Sequence, residues 1–220
     1  MSNKLMILRE IVTLVFKGHV NPFRIIYYNK FCSWIKTESH YPITLHSNSI
    51  FELGKDIELH IKDNLDFGRR NYPGTKKETR LQLRDGAKMI VDGHYRVYAG
   101  CNITVCENSK LILHPGYINE DVTITCGSTV EIGEGTSIAR GVVIWNNDAH
   151  EIIGSPNQVS EPIMIGKHVW ICTGAKILKG VTIGDGAIIA AGAIVTKNIP
   201  ARCLAAGIPA KVIRENVEWK

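Results

Sequence analysis

Nothing in the 220 residues approaches the roughly 20 consecutive apolar positions that a membrane span needs, because the longest candidate, LMILREIVTLVF, is broken by Arg9 and Glu10. No small-residue cleavage site follows a basic region and an apolar run at the N-terminus, so no secretory signal is expected. Cysteine is sparse and scattered, at positions 32, 101, 106, 126, 172 and 203, with no CxxC. That spacing argues against zinc and for reduced thiols in a cytoplasmic protein. Excess charge is also small. The 26 Lys and Arg against 21 Asp and Glu leave +5, without the basic runs of a nucleic-acid binder but suited to an acidic ligand. Only 7% of residues are aromatic; the 45% hydrophobic and 21% charged content describes a soluble chain with one substantial core.

What is present is a repeat. From Ile165 the sequence divides into IGKHVW, ICTGAK, ILKGVT, IGDGAI, IAAGAI and VTKNIP. The first column (Ile165, Ile171, Ile177, Ile183, Ile189, Val195) is aliphatic throughout. The fifth (Val169, Ala175, Val181, Ala187, Ala193, Ile199) is apolar and mostly small, so two positions per hexad face inward. The fourth column reads His168, Gly174, Gly180, Gly186, Gly192 and Asn198, in five cases residues that tolerate the left-handed backbone of a tight turn. A short strand and a turn every six residues, taken three times, close a triangular coil of about 18 residues.

The register extends upstream through Cys126, Ile132, Ile138 and Ile144, with Gly135, Gly141 and Asn147 as turn residues. Further back, Leu53, Leu59 and Leu65, then Val91, Val97 and Ile103, keep shorter registers separated by slips, so the early coils are expected to be irregular. RRNYPGTKKETR (69–80) has no period and reads as a loop leaving the coil. Leu5, Leu8, Ile11, Val12 and Val15 have helical spacing and are read as a cap over the coil's exposed end, in preference to a membrane-surface helix. The chain thus divides into a helical cap over 1–40, a coil over 41–200 with loops near 69–80 and 150–164, and a C-terminal segment over 201–220.

The stretch HVWICTGAKILKGVTIGDGAIIAAGAIVTKNIPARCLAAGIPAKVIR resembles the C-terminal half of the hexapeptide-repeat acyltransferases, particularly the galactoside, maltose and capsular or lipopolysaccharide sugar O-acetyltransferases. The resemblance is specific over roughly 118–214 and only architectural upstream. It implies an all-β solenoid, a left-handed parallel β-helix, assembled as a homotrimer with active sites between subunits and acetyl-CoA as donor.

The chemistry is expected where the repeat fails. Counting six from Ile144 lands on His150, and the fifth slot of that hexad is Asp148, so continuing the coil would bury an imidazole and a carboxylate in an apolar core. The chain instead departs through EIIGSPNQVSEPIM, and the hexads resume at Ile165. An imidazole with an ordinary pKa near 6.5 can accept a proton from a hydroxyl at neutral pH. The family's catalytic histidine matches His150, and Asp148 is a candidate to hold its tautomer or contact the acceptor.

Coenzyme A needs a low-walled groove and cations for its phosphates. Thr173, Gly174 and Ala175, then Ala190, Ala191 and Gly192, recur one full coil apart and stack at one corner. The resemblance assigns Thr173, Ala191, Thr196, Lys197, Lys211 and Arg214 to the CoA site, which the C-terminal segment completes. Trp170, in an outward column, is expected beside the active site at a subunit interface, and Trp145 with Asn146 opens the NNDAH segment as a candidate acceptor-sugar platform. Cys172 stands at a place usually held by glycine; a covalent acyl-cysteine would need a base that nothing nearby supplies.

No metal site is expected. The γ-class carbonic anhydrases, built on the same coil, use a closely spaced histidine pair, whereas here His150 and His168 are 18 apart and His94 and His114 are 20 apart. The resulting reading is acetyl transfer from acetyl-CoA to a hydroxyl of a sugar or polysaccharide precursor. Its alternatives are N-acetylation of an amino sugar, transfer to serine or an antibiotic alcohol, a metal-dependent hydratase, and a silent structural trimer.

Overall fold

The computed structural model describes residues 21–32, 34–72, 74–151, 153–154 and 158–220. The apolar positions from Leu5 to Val15 lie outside these. Among the described residues, no helix is long and apolar enough to cross a membrane.

Among the described residues, short strands form three sheets of seven, nine and seven strands, parallel except for the last pair of the nine-stranded sheet, and through most of the chain each strand pairs with the one three places further along. The chain therefore visits three faces in turn, as in a left-handed parallel β-helix. The first face runs from Ile35–Thr37 to Thr182–Ile183, the second from Ile43–Leu45 to Ala210–Arg214, and the third from Ser49–Leu53 to Ile194–Val195. The hexad columns explain the register. Ile165 lies beside Ile183, Ile171 beside Ile189, and Ile177 beside Val195, each three hexads on. All twelve residues of the first and fifth columns are buried.

The turns hold one surprise. Five of the six fourth-column residues take φ between 53° and 74°, but the exception is Asn198 and not His168. His168 adopts φ 53°, while the Asn198 side chain accepts a hydrogen bond from the Thr182 N–H at 2.8 Å.

Below residue 126 the coil widens. Met89 pairs with Leu111 at a spacing of 22, Val97 with Ile118 at 21, and Leu111 with Val130 at 19. The excursion over 70–78 lengthens one coil further, so Phe67 meets Val97. At the lower end of the described coil, the helix Pro22–Ile26 is N-capped by Asn21, whose side chain accepts from the Phe23 and Arg24 N–H groups. Asn29 then satisfies the first coil's free strand groups: its Nδ2 donates to the Ile43 carbonyl at 2.8 Å and its Oδ1 accepts from the Ile43 N–H at 2.9 Å. The segment over 21–31 thus packs on the lower end of the described coil.

Candidate active site

The coil opens between the third and first faces. Val143–Trp145 pairs with Lys176–Leu178 above it, and Asn146 then turns the corner fully buried. Its Oδ1 accepts from the Gly127 N–H at 2.6 Å, and its Nδ2 donates to Ser128 Oγ and the Thr129 carbonyl, both at 3.0 Å. The Asn146 amide is thus fully engaged as a staple to the coil below. Trp145, beside it, is 41% exposed and donates its indole N–H to the Asn147 carbonyl.

Beyond Asn146 the chain leaves the coil. Asn147 bridges antiparallel to Ser160, and the Asp148 N–H donates to the Val159 carbonyl at 2.9 Å, so the excursion has paired stems. Ala149 sits at φ 61°, its N–H held by Asn147 Oδ1 at 2.7 Å. His150 follows, exposed, with no hydrogen-bond partner among the described residues. The chain rejoins through the strand Ile163–Ile165, where Ile163 pairs with Val130, two residues before the hexad count resumes. Asp148 lies 2.5 Å from Lys179 Nζ. That lysine, one coil above, is the partner the Asp148 carboxylate takes.

The donor candidates divide between two edges of the prism. Thr173, Gly174 and Ala191 lie on the edge between the second and third faces, stacked through the Gly192 N–H bond to the Thr173 carbonyl at 3.0 Å. Nothing lies within 4 Å of the place a Cβ would occupy on Gly174 or Gly192, so this edge is an open, low-walled groove. Ala175 points away from it into the core. Thr196 and Lys197 occupy the edge that also carries His150. Lys211 and Arg214 are exposed on the strand Ala210–Arg214, which folds back antiparallel on Leu204–Gly207 and extends the second face. Within one chain, His150 and the Thr173–Ala191 groove stand on different edges.

Trp170 is exposed on the second face, in one rung column with Ser137 and Tyr117. Tyr117 shares a 2.5 Å hydrogen bond with Ser137 Oγ and meets Tyr98 edge to face at 6.4 Å. Sequence reasoning named Trp170 but missed its alignment with Tyr117, which lies in the irregular coils, where the outward positions cannot be counted. It also missed Trp219. The C-terminal tail returns to stack the Trp219 ring on His168, 4.0 Å between centroids and 3° from parallel, and Trp170 lies 5.9 Å from the same indole. Trp219 Nε1 donates to the His168 carbonyl at 2.9 Å. The stack and this hydrogen bond dock the tail on His168, whose backbone takes a left-handed turn at φ 53°.

His168 lies on the edge between the first and second faces and His150 on the next edge, so the two do not stack. Among the described residues, no three His, Cys, Asp or Glu side chains are grouped as metal ligands. Cys172 is half-buried, and burial pushes its thiol up, away from the nucleophilic thiolate.

Residues 162–197 match the family model described as bacterial transferase hexapeptide (six repeats). The galactoside O-acetyltransferase of Escherichia coli (strain K12) is 45% identical over 102 residues, which cover 45% of this chain and 50% of the relative. The polysialic acid O-acetyltransferase of Escherichia coli O1:K1 / APEC is 41% identical over 104 residues, covering 46% of this chain and 33% of that one. The chain therefore spans half or less of the length of these two relatives. The crystal structure of the polySia-specific acetyltransferase NeuO superposes with a TM-score of 0.52 at 26% identity, over 84% of this chain and 88% of that one. A three-faced coil wound from six-residue repeats is thus similar over part of its sequence to two sugar O-acetyltransferases, and similar in shape to a third structure, and residues 162–197 carry the bacterial transferase hexapeptide repeat.

Proposed function

We propose that the chain transfers an acetyl group from acetyl-CoA to a hydroxyl of a saccharide, at sites formed between the subunits of a homotrimer. The observation that carries this reading is the division of the candidate residues: an exposed histidine stands on one edge and an open groove on another. A second copy set against the first brings one chain's His150 to its neighbour's Thr173–Ala191 groove, and a three-fold arrangement repeats that contact three times and closes. In this reading Thr173, Gly174 and Ala191 line the pantetheine arm, and Thr196, Lys197, Lys211 and Arg214 meet the phosphates. The exposed rings of Tyr117, Trp170 and Trp145 offer apolar faces to a sugar, with the Ser137 hydroxyl between the first two.

His150 acts as general base. It takes the proton of the acceptor hydroxyl as that oxygen attacks the thioester carbonyl, and a backbone N–H stabilises the tetrahedral oxyanion. Collapse expels the CoA thiolate, which recovers the proton from the imidazolium and leaves as the thiol. The acetyl ester stays on the saccharide.

Release of CoA thiol, measured with acetyl-CoA and a set of galactosides and sialic acid oligomers, tests the reaction. Light scattering on the same sample tests the assembly. Turnover dependent on one of these saccharides, from a trimeric species, is the expected result; a fully active monomer overturns the shared site.

A further inference from the structure

Lys179 was not among the residues singled out by the repeat, yet it contacts both ends of the excursion that presents His150. Ile144 pairs with Ile177 and Trp145 with Leu178, so Lys179 stands one coil directly above Asn146, the last residue before the chain leaves. Its ammonium lies 2.5 Å from Asp148 Oδ2 on the departing stem and donates to the Gln158 carbonyl, also at 2.5 Å, on the returning stem. The Lys179 side chain is only 18% exposed, so these contacts are partly shielded from water. The backbone adds two weaker ties between the same stems, the Asn147–Ser160 bridge and the Asp148 N–H bond to Val159. Among the described residues, no other cation reaches Asp148 or Gln158. His150, two residues past Asp148, has no such anchor of its own among them.

We infer that Lys179 is a positioning residue: it clamps the two stems together and so fixes where the exposed His150 imidazole stands. The inference deepens the proposed function and rests on it for the role of His150, while the clamp itself can be read without activity. It also changes the part played by Asp148. A carboxylate held by Lys179 orients the imidazole through the backbone of the departing stem, with no direct hydrogen bond to the ring.

The test uses the full-length protein and four variants: Lys179→Met, Lys179→Arg, Asp148→Asn and the double variant Asp148→Asn with Lys179→Met. Thermolysin cleavage at Ile153, which is 98% exposed, reports how firmly the stems are held. Thiol release with acetyl-CoA and a saturating galactoside or sialic acid oligomer reports turnover. Lys179→Met should be cleaved several-fold faster and lose on the order of 10- to 100-fold in kcat, the effect of a displacement near about 1 Å, with KM for acetyl-CoA within about twofold. Lys179→Arg, which keeps the charge and both contacts, should recover most of both. The double variant should be no worse than either single variant, since each breaks the same contact. Wild-type cleavage and kcat in Lys179→Met, with a defect in His150→Ala, overturn the positioning role and leave the base assignment standing. If His150→Ala turns over normally, the base assignment falls by itself, and cleavage alone decides the clamp: an unchanged rate in Lys179→Met overturns it.

Discussion

The coil above residue 163 and the coil below residue 126 follow one three-faced rule with different material. The upper turns recur every three hexads, and alanines 175, 187 and 193 take three of the six fifth-column positions. The lower turns are spaced at 19 to 24, and at 30 where the 70–78 excursion is included, and bury Phe67, Met89 and Tyr95 completely. The Phe67 ring meets Phe51 at 5.1 Å, and Phe51 meets Tyr28 at the same distance, so aromatic packing runs into the N-terminal turn. Edges differ in the same sense. A Cβ on Gly174 or Gly192 meets nothing within 4 Å, whereas one on Gly93 meets Pro115 at 2.6 Å and one on Gly100 meets Asp121 at 2.3 Å. The edge that carries Gly174 and Gly192 is an accessible groove, whereas at Gly93 and Gly100 neighbouring side chains cover the turn, as Glu161 does at Gly180 on another upper edge. The lower half supplies buried apolar area, and the upper half supplies a surface on which a narrow arm can lie.

If this division is right, the largest effects of substitution separate cleanly by region. His150→Ala, at the upper excursion, should lower kcat by about 10² to 10⁴, the usual worth of a positioned general base, with acetyl-CoA affinity and melting temperature nearly unchanged. Calorimetric titration of acetyl-CoA into the variant checks the first half of that statement and a thermal melt the second. Phe67→Ala, in the lower coils, should do the reverse. Removing a fully buried ring costs about 3–5 kcal/mol of stability, visible as a lower denaturation midpoint, while kcat per folded molecule is retained. A loss of turnover without loss of stability in Phe67→Ala would erase the distinction.

The next effect probes the narrow upper core. Ala187→Leu inserts a large side chain at a position with no exposure, for about 1–3 kcal/mol of overpacking. Thermal melts should place it between Phe67→Ala and wild type. Turn substitutions come below this. Gly192→Ala meets no neighbour and costs only the left-handed backbone at φ 70°, about 1–2 kcal/mol. Gly93→Ala, where Pro115 must also shift, should melt lower than Gly192→Ala.

The same contrast explains what the sequence makes legible. In the hexads a residue's column is its address: Ile177 faces inward, Gly180 turns and Lys179 points outward at an edge because the count is unbroken. The count also located His150, since burying it would be costly. It could not reveal that Lys179 closes on Asp148, because the excursion sets Ile144 much further along the chain from its partner Ile177 than one regular coil would. Nor could it show that Asn146 is a buried staple and no acceptor platform, since its amide partners come from the coil below. Trp219 escaped for another reason: the tail beyond Arg214 has no period, and its docking on His168 depends on a ring stack and two backbone carbonyls. In the lower coils the inward alternation was visible around Val91, Val97 and Ile103, but the slips between registers hid which outward residues share a rung.

The smallest effect concerns Arg214, where the extended second face would meet the donor's phosphates. Arg214 lies opposite Leu204 in the antiparallel pair and is exposed, so water and salt screen any contact it makes. A charge-assisted hydrogen bond is worth about 1.5–3 kcal/mol when partly desolvated, and exposure brings it to the lower end, about a tenfold change in affinity. Arg214→Ala should therefore raise KM for acetyl-CoA about tenfold and leave kcat and the acceptor KM within about twofold. The difference should shrink for a donor lacking the 3′-phosphate, because the missing cation then has less to bind. Added salt should weaken donor binding by the wild type more than by the variant. These three measurements separate a phosphate contact from a folding defect, since a disturbed hairpin would weaken both donors equally and respond little to salt. If Arg214→Ala instead raises the acceptor KM and spares the donor, the saccharide and the nucleotide end of CoA occupy opposite ends of the groove from those assigned.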